Sequence, residues 1–345
     1  MTARPVLRTA AGTGAALCLV SAVAYAAVPI LGKLGFEEGL SVSSLLVGRF
    51  GIAAVVLWLL ALRFDAVPSR RGVITGLLLG LVFYAGQNGF YFAALERISA
   101  TLATLLVFIA PILVAVTAVC LGRERLGFGQ IAAIPLSLAG IALVLIGGSG
   151  LGEIDPIGVA LALGCAVVYS AFMLITHAVV ANVQPLTLSA AIITGGLIPF
   201  LVVALVSADP PLPSSGDGWG IVVAMALLGT VVPVAALTAG TALSGPSTAT
   251  ILSASQPAMT AGLAIVILGE TLTPVQVLGG ILVLGSVVAV QARWPLRPSE
   301  PIVGGGPWVF AWGSDGTRSR RSTPAPGGSG RPSRRWRSWA TTRCG

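Results

Sequence analysis

Charged residues are scarce in this 345-residue sequence, at 9% against about a quarter in a typical soluble domain. Hydrophobic residues make up 55%, and the mean hydropathy is +0.95. The alternating period-2 pattern of a membrane β-barrel is absent from the sequence. Because each backbone amide in lipid needs an internal hydrogen bond, the composition predicts an all-α integral membrane protein surrounded by the lipid bilayer.

Residues that hold metals or form disulfide frameworks are also rare. His177 is the only histidine, and the cysteines at 18, 120 and 165 fall inside apolar stretches while Cys344 lies near the C-terminus. We therefore predict no disulfide, no metal site and no other cofactor. The P-loop motif GxxxxGK[ST] does not occur, which argues against direct use of ATP.

Deep carboxylates are missing as well, although proton antiport usually needs a titratable group in the solute path. Facilitated efflux, exchange, or coupling through a less obvious group stay open. An intramembrane enzyme would need clustered acids, a His-rich site or a nucleophile with its base at membrane depth, and the sequence contains none of these.

Charges, prolines and glycines divide the chain into ten apolar stretches joined by short loops, which makes consecutive helices antiparallel neighbours. Arg4 and Arg8 followed by an apolar run and AYAA resemble a secretory signal, but the run continues to Leu31, so we interpret it as an uncleaved first helix. The stretches are 12–32, 41–62, 72–94, 99–121, 127–147, 157–178, 185–207, 218–241, 246–268 and 274–293.

The distribution of loop cations predicts the orientation, since Lys and Arg favour the cytoplasmic side. With the N-terminus inside, seven cations lie on the inner side and two, Lys33 and Arg97, on the outer side. Both termini are therefore predicted to be cytoplasmic, including residues 1–11, in a multi-pass protein of the cell membrane. The inner cations are Arg4, Arg8, Arg63, Arg70, Arg71, Arg123 and Arg125.

Residues 294–345 differ sharply from the rest, being rich in Gly, Ser, Pro, Arg and Trp. Counting Arg293, half of the 20 basic residues lie here. We predict a disordered basic cytoplasmic tail, too poor in aliphatic residues to fold. Contact with anionic lipid is the alternative, and no feature besides charge supports a nucleic-acid partner.

The chain contains an internal repeat. A shift of 146 aligns 101–145 with 247–291 without gaps and gives 12 identities in 45 positions. Because five helices per copy is an odd number, the second copy enters the membrane from the opposite side, as in secondary transporters whose site lies between the repeats. The matched pairs include Pro111 with Pro257, Glu124 with Glu270, and Gln130 with Gln276.

Two stretches, ISATLATLLVFIAPILVAVTAVCLGRERLGFGQ and GPSTATILSASQPAMTAGLAIVILGETLTPVQVLGG, resemble the paired domains of the EamA family in the drug/metabolite transporter superfamily. The resemblance covers about 12–293. It implies ten transmembrane helices in two inverted five-helix repeats, 12–147 and 157–293, and movement of small metabolites, often export of amino acids or related compounds. The first copy departs from the pattern in having Arg123 where the second has Gly269.

Arg49 is the deepest charge of the chain, eight residues beyond Ser41, or about 12 Å along the helix axis. An intramembrane charge normally faces a cavity, a partner or the bundle interior. Arg49 could attract a substrate carboxylate or phosphate. Alternatively it is a structural pin that bonds helix-end carbonyls or an outer-loop acid such as Glu37 or Glu38 by snorkelling.

A polar stripe follows in LVFYAGQNGFYFAAL, where Tyr84, Gln87, Asn88 and Tyr91 share one helix face. Their amides and hydroxyls could line the solute path, or they could form interhelical hydrogen bonds. We interpret the stripe as a cavity wall because four such groups exceed the needs of one packing contact.

The ninth stretch places Ser253 and Gln256 beside Pro257, and Pro111 is its counterpart in the fourth. Each proline removes a backbone hydrogen bond and frees a carbonyl about one turn back, which could kink or gate the helix or provide an acceptor there. We expect Gln256 to line the path, whereas Ser253 could line it or belong to a close-packed seam of small residues.

Glu124 and Glu270 end their helices on opposite membrane faces, where each could act as a gate or as a cap that anchors a loop.

These observations predict a secondary carrier, not an enzyme, that exports a small metabolite by alternating access. A non-transporting membrane scaffold or sensor is the alternative, and an intramembrane enzyme comes after it. The sequence predicts neither the substrate nor the oligomeric state.

Overall fold

A computed structural model describes residues 3–64, 69–120, 128–147, 155–179, 184–207 and 213–292. The predicted tail, 294–345, and Glu124 therefore lie outside the described residues. Every regular element in these ranges is helical. The elements before residue 148 are α1 (Ala3–Glu37), α2 (Val42–Phe64), α3 (Arg70–Leu79), a first π segment (Gly80–Tyr84), α4 (Ala85–Leu95), α5 (Ala100–Val107), α6 (Ala110–Cys120) and α7 (Phe128–Ile146).

The elements after residue 154 follow a similar order. They are α8 (Pro156–Val179), α9 (Pro185–Val206), α10 (Gly216–Ala226), a second π segment (Leu227–Val231), α11 (Val232–Ser244), α12 (Pro246–Ser253), α13 (Gln256–Leu268) and α14 (Pro274–Ala292). α1 begins earlier than the predicted span at residue 12, since no proline after Pro5 and no acidic residue interrupts its first turns.

Eight helical stretches of the described residues are long and apolar enough to cross a membrane. The apolar parts of α7 and α14, Ile131–Ile146 and Pro274–Ala289, are shorter. Ten transmembrane helices therefore stay a prediction. The eight stretches are Gly12–Glu37, Val42–Phe64, Arg70–Leu95, Ala100–Thr117, Pro156–Thr176, Leu186–Val206, Gly216–Thr241 and Ile251–Leu268.

Two of these stretches are interrupted just before the matched prolines. α5 ends at Val107 and α6 begins at Ala110, with Pro111 as its second residue. α12 ends at Ser253 and α13 begins at Gln256, followed by Pro257. Because proline has no N–H, the regular i to i−4 bond is lost at both places, and shorter i to i−3 bonds close the turns. Both stretches therefore have a helix break next to the matched proline.

Packing between the two halves of the chain follows a reciprocal pattern. α5 and α6 pack on α8, while α12 and α13 pack on α1; α2 packs on α9 and α7 on α14. The core is apolar, with Phe50, Phe92 and Phe172 among its fully buried side chains. Val55, Leu59 and Leu62 of α2 are exposed at helical spacing, as expected for a face that meets lipid.

Candidate functional site

Arg49 lies in α2 with only 2% of the residue exposed. Its Nε donates to Thr230 Oγ1 at 3.3 Å and its Nη2 to the Gly229 carbonyl at 2.9 Å. Its Nη1 donates to Asn88 Oδ1 at 3.5 Å. The guanidinium is therefore held by the bundle interior and does not reach toward the outer loops.

The second π segment supplies two of these acceptors, and its sequence explains why. Pro233 lacks the N–H that would bond the Gly229 carbonyl in a regular α-helix, so that oxygen can accept from Arg49. A Cβ at position 229 would lie 2.9 Å from Val28 Cγ2 and 3.6 Å from Arg49 Cζ. Glycine thus permits the close packing of Val28 on this segment, while the guanidinium would lie at an ordinary van der Waals distance from an added Cβ.

Arg49 has no carboxylate partner within 4 Å among the described residues. Its three hydrogen bonds use three of the five guanidinium N–H groups and leave two without a partner in this part of the chain. The rings of Phe50 and Phe92 lie 5.5 and 5.9 Å from Cζ. Buried charges are normally paired with an opposite charge, and among the described residues this cation has no such partner.

A cavity of about 80 Å³ adjoins the guanidinium. Both halves of the chain contribute to its wall. The cavity is lined by five of the predicted path residues, Arg49, Gln87, Asn88, Tyr91 and Gln256, together with Tyr25, Val28, Pro29, Thr104, Val107, Phe108, Cys165 and Tyr169.

Gln87 is 3% exposed, and its Oε1 has no hydrogen-bond partner among the described residues. A buried acceptor without a partner costs about 1–3 kcal/mol. The neighbouring Asn88 differs, because its Nδ2 donates to the Tyr84 carbonyl at 2.8 Å while its Oδ1 accepts from Arg49. Asn88 therefore positions the guanidinium and joins it to the end of the first π segment.

Tyr91 makes a defined contact at the cavity wall. Its hydroxyl lies 3.0 Å from Thr104 Oγ1, and the Thr104 hydroxyl donates to the Ala100 carbonyl at 2.8 Å. Because Thr104 has one hydroxyl proton, Tyr91 is the donor in their bond. The lone pairs of the Tyr91 oxygen stay available to accept a further hydrogen bond.

Tyr84 and Ser253 do not line this cavity. Tyr84 is buried with its ring 5.3 Å from that of Phe50 and 6.2 Å from that of Phe172. Ser253 is buried, and its hydroxyl donates to the Ala249 carbonyl at 2.8 Å. Tyr84 shares the face of the predicted stripe but lies about 10 Å along the axis from Tyr91.

Glu270 lies where a helix from the other half of the chain begins. Gly269 has a φ of 66°, which ends α13 in the left-handed conformation and turns the chain. The Glu270 carboxylate then accepts from the backbone N–H of Ala100 at 2.6 Å and of Thr101 at 3.3 Å. This geometry is that of a cap on α5, stabilised by the helix dipole.

The sequence interpretation missed Gly229, Thr230 and Thr104. A detectable signal existed for the first two, since a Gly-Thr pair stands four and three residues before Pro233 inside an apolar run. Tyr25 and Tyr169, one from each half of the chain, both line the cavity.

Outside the apolar helices, Arg97 forms an ion pair with Asp155 at 2.9 Å. The hydrogen bond from Arg97, followed by that from the Ile157 backbone N–H, lowers the pKa of Asp155 below its ordinary value. Asp155 Oδ1 accepts from the Ile157 N–H at 2.8 Å, so the carboxylate also caps α8.

The chain is similar to known membrane transporters. It is 28% identical over 256 residues to the threonine/homoserine exporter RhtA of Escherichia coli strain K12, covering 71% of this chain and 81% of RhtA. It is 27% identical over 251 residues to the uncharacterized transporter YdfC of Bacillus subtilis strain 168, covering 72% and 82%.

A solved crystal structure has the same fold, with a TM-score of 0.59 at 20% identity, over 83% of this chain and 98% of that chain. The apolar helices and the transporter relatives together show a multi-pass integral membrane protein that functions as a transporter. Residues 12–146 and 156–291 each match the EamA-like transporter family. This chain therefore belongs to the EamA-like transporter family, within the drug/metabolite transporter superfamily.

Proposed function

We propose that this protein is a secondary carrier that exports a small metabolite with a carboxylate group, such as an amino acid or a related compound. Arg49 is the observation that carries the proposal, because it is a buried cation beside a cavity and lacks a carboxylate partner among the described residues. A solute carboxylate could accept from its two remaining N–H groups, in the paired geometry that arginine favours.

Cavity size and a relative support a small solute. A volume of about 80 Å³ suits a compound of a few heavy atoms and is well below the roughly 300–1,000 Å³ of drug-sized sites. The E. coli relative is named for threonine and homoserine, which are small compounds with one carboxylate each. A carboxylate of this kind would neutralise the charge of Arg49.

Alternating access between two inverted repeats is the mechanism that we propose. The reciprocal packing of α5 and α6 on α8, and of α12 and α13 on α1, supports repeats at 12–147 and 157–293. The helix breaks before Pro111 and Pro257 lie at matched positions, where each half could bend. Path residues include Gln87, Tyr91 and Gln256; Tyr84 and Ser253 then act through packing.

The predicted orientation belongs to the same proposal. With both termini cytoplasmic, the ends of α1 and α4 near Lys33 and Arg97 face outward, and the Glu270 cap on α5 lies at this outer side. Seven inner loop cations against two outer ones support this orientation. The basic tail would then touch the cytoplasmic leaflet or stay in solution.

Efflux from preloaded proteoliposomes tests the carrier. Radiolabelled threonine, homoserine and a panel of other small acids and amines would be compared for wild type, Arg49→Gln and Arg63→Gln. Arg63 is the matched control, since it is an exposed arginine at the end of the same helix and does not line the cavity. We expect wild type and Arg63→Gln to release a carboxylate-bearing solute, and Arg49→Gln to lose that release.

Two results would contradict this proposal. Equal efflux by Arg49→Gln at equal protein content would remove the arginine from the solute path. Failure of wild type to move any member of the panel would contradict the proposed carrier for these solutes.

Cys165 offers a test of the solute path. It lines the cavity, and the other cysteines of the chain, Cys18, Cys120 and Cys344, can be replaced by serine or alanine. We expect a small thiol reagent to label Cys165 more slowly when the exported solute is present. Labelling that is unaffected by saturating solute would place the solute path elsewhere.

A further inference from the structure

Gln87 lines the cavity, and its buried Oε1, an acceptor that a carboxylate cannot satisfy, has no hydrogen-bond partner among the described residues. We propose that Gln87 is a specificity-determining residue, which selects carboxylate solutes that also carry a hydrogen-bond donor. This inference rests on the proposed function, because it assumes that Arg49 binds the carboxylate.

Donors near Gln87 in the polar stripe already bond elsewhere. Asn88 Nδ2 donates to the Tyr84 carbonyl, and the Tyr91 hydroxyl donates to Thr104. The described residues therefore leave the Gln87 oxygen without a partner although the side chain is 3% exposed. A bound solute with an ammonium or hydroxyl group could supply the missing hydrogen bond.

The chemistry of the acceptor sets the class of solute. None of the described residues that line the cavity is Asp or Glu, and the acceptor is the neutral amide of Gln87. A neutral amide oxygen accepts a hydrogen bond from an ammonium or from a hydroxyl group. A solute without such a donor cannot form this bond and should bind more weakly. We therefore expect 2-amino acids and 2-hydroxy acids of similar size to bind, and the unsubstituted acids to bind weakly.

Three compounds of almost the same shape test this selection: L-2-aminobutyrate, (S)-2-hydroxybutyrate and butyrate. Binding to purified full-length protein in lipid nanodiscs, measured by calorimetry, avoids passive leakage of butyrate through vesicles. For wild type we expect the first two to bind at least about tenfold more tightly than butyrate, because butyrate leaves the Gln87 oxygen unsatisfied.

Gln87→Met keeps the length of the side chain and removes the acceptor. We expect this variant to bind all three compounds within about twofold of one another, with a melting temperature that shows an intact fold. The wild-type series needs no variant, so the selection can be judged even where Gln87→Met does not fold.

Several outcomes would overturn the inference. If wild type binds butyrate as tightly as the other two, no donor is required, although Arg49 could still bind the carboxylate. If wild type binds the amino acid but not the hydroxy acid, the acceptor requires a cationic donor and is not the neutral amide of Gln87. Unchanged discrimination by folded Gln87→Met would assign the selection to another residue. If wild type binds none of the three, the proposed function fails for this class and the inference fails with it.

Discussion

Two arginines of this protein show opposite arrangements. Arg97 is 44% exposed in its side chain and pairs with Asp155 at 2.9 Å. Arg49 is 2% exposed and, within the described residues, has no carboxylate within 4 Å. An exposed pair contributes little to stability, whereas a charge at membrane depth is costly without a partner, by about 2.5–3.5 kcal/mol on insertion scales.

The difference separates a structural charge from one that is available for binding. Arg97 joins the end of α4 to the start of α8, and its charge is neutralised by Asp155. Arg49 is oriented by neutral groups, namely a carbonyl, a hydroxyl and an amide oxygen. These acceptors fix the geometry of the guanidinium and leave its net charge uncompensated, which favours an anionic solute.

Replacing Arg49 should have the largest effect. We expect Arg49→Gln to lower the initial rate of solute efflux about 10- to 100-fold, since hydrogen bonds to charged groups contribute about 1.5–3 kcal/mol. Arg49→Lys should be nearly as poor, because one ammonium cannot replace a planar group that bridges three acceptors. A lysine variant with wild-type efflux would show that charge alone is sufficient.

Gly229→Ala should reduce efflux by about tenfold, the next largest effect. The added Cβ would lie 2.9 Å from Val28 Cγ2, so the helix backbone must shift there, and with it the Gly229 carbonyl that accepts from Arg49. Gly220→Ala is the matched control, since a Cβ at position 220 meets nothing within 4 Å and lies in the same apolar stretch. Equal rates for the two alanine variants would show that this close approach does not set the position of Arg49.

Thr104→Val should have a smaller effect, about fivefold on efflux, because Tyr91 would lose one hydrogen bond of about 1 kcal/mol. Thr194 is a close control in α9. It accepts from Trp58 Nε1 and donates to the Ala190 carbonyl, yet it does not line the cavity. If Thr104→Val and Thr194→Val reduce efflux alike, the effect comes from helix stability and not from the cavity.

The smallest effect is expected on stability, from the ion pair between the exposed Arg97 and Asp155. Because the pKa of Asp155 is lowered in the folded protein, its contribution to stability is present above its unfolded pKa of about 3.9 and is lost as the pH falls through the lower folded value. Thermal unfolding from about pH 6 down to about pH 3 should therefore converge for wild type and Asp155→Asn. A difference that grows toward low pH would contradict the sign of this shift.

Much of the fold could be predicted from local patterns. The apolar stretches match helices, and the breaks occur before Pro111 and Pro257, because hydropathy and the missing N–H of proline act locally. The depth of Arg49 also singled it out. Its acceptors could not be predicted, since Gly229 and Thr230 lie about 180 residues away in sequence and meet Arg49 only through packing.

The polar stripe shows a second limit of sequence patterns. Helical periodicity predicts which residues share a face, and Tyr84 and Tyr91 do. It does not predict how far the cavity extends along that face, which depends on neighbouring rings such as Phe50 and Phe172. For Glu270, the sequence indicated a helix end, but the helix that it caps belongs to the other half of the chain.

Whether Arg49 binds the carboxylate of the solute is tested by comparing L-threonine with L-threonine amide. The amide lacks the negative charge and is otherwise nearly the same size. Calorimetric binding to nanodisc-embedded wild type should detect threonine and show at least about tenfold weaker binding of the amide, and Arg49→Gln should lose this preference. Equal binding of both compounds to wild type, or an undiminished preference in Arg49→Gln, would contradict the account.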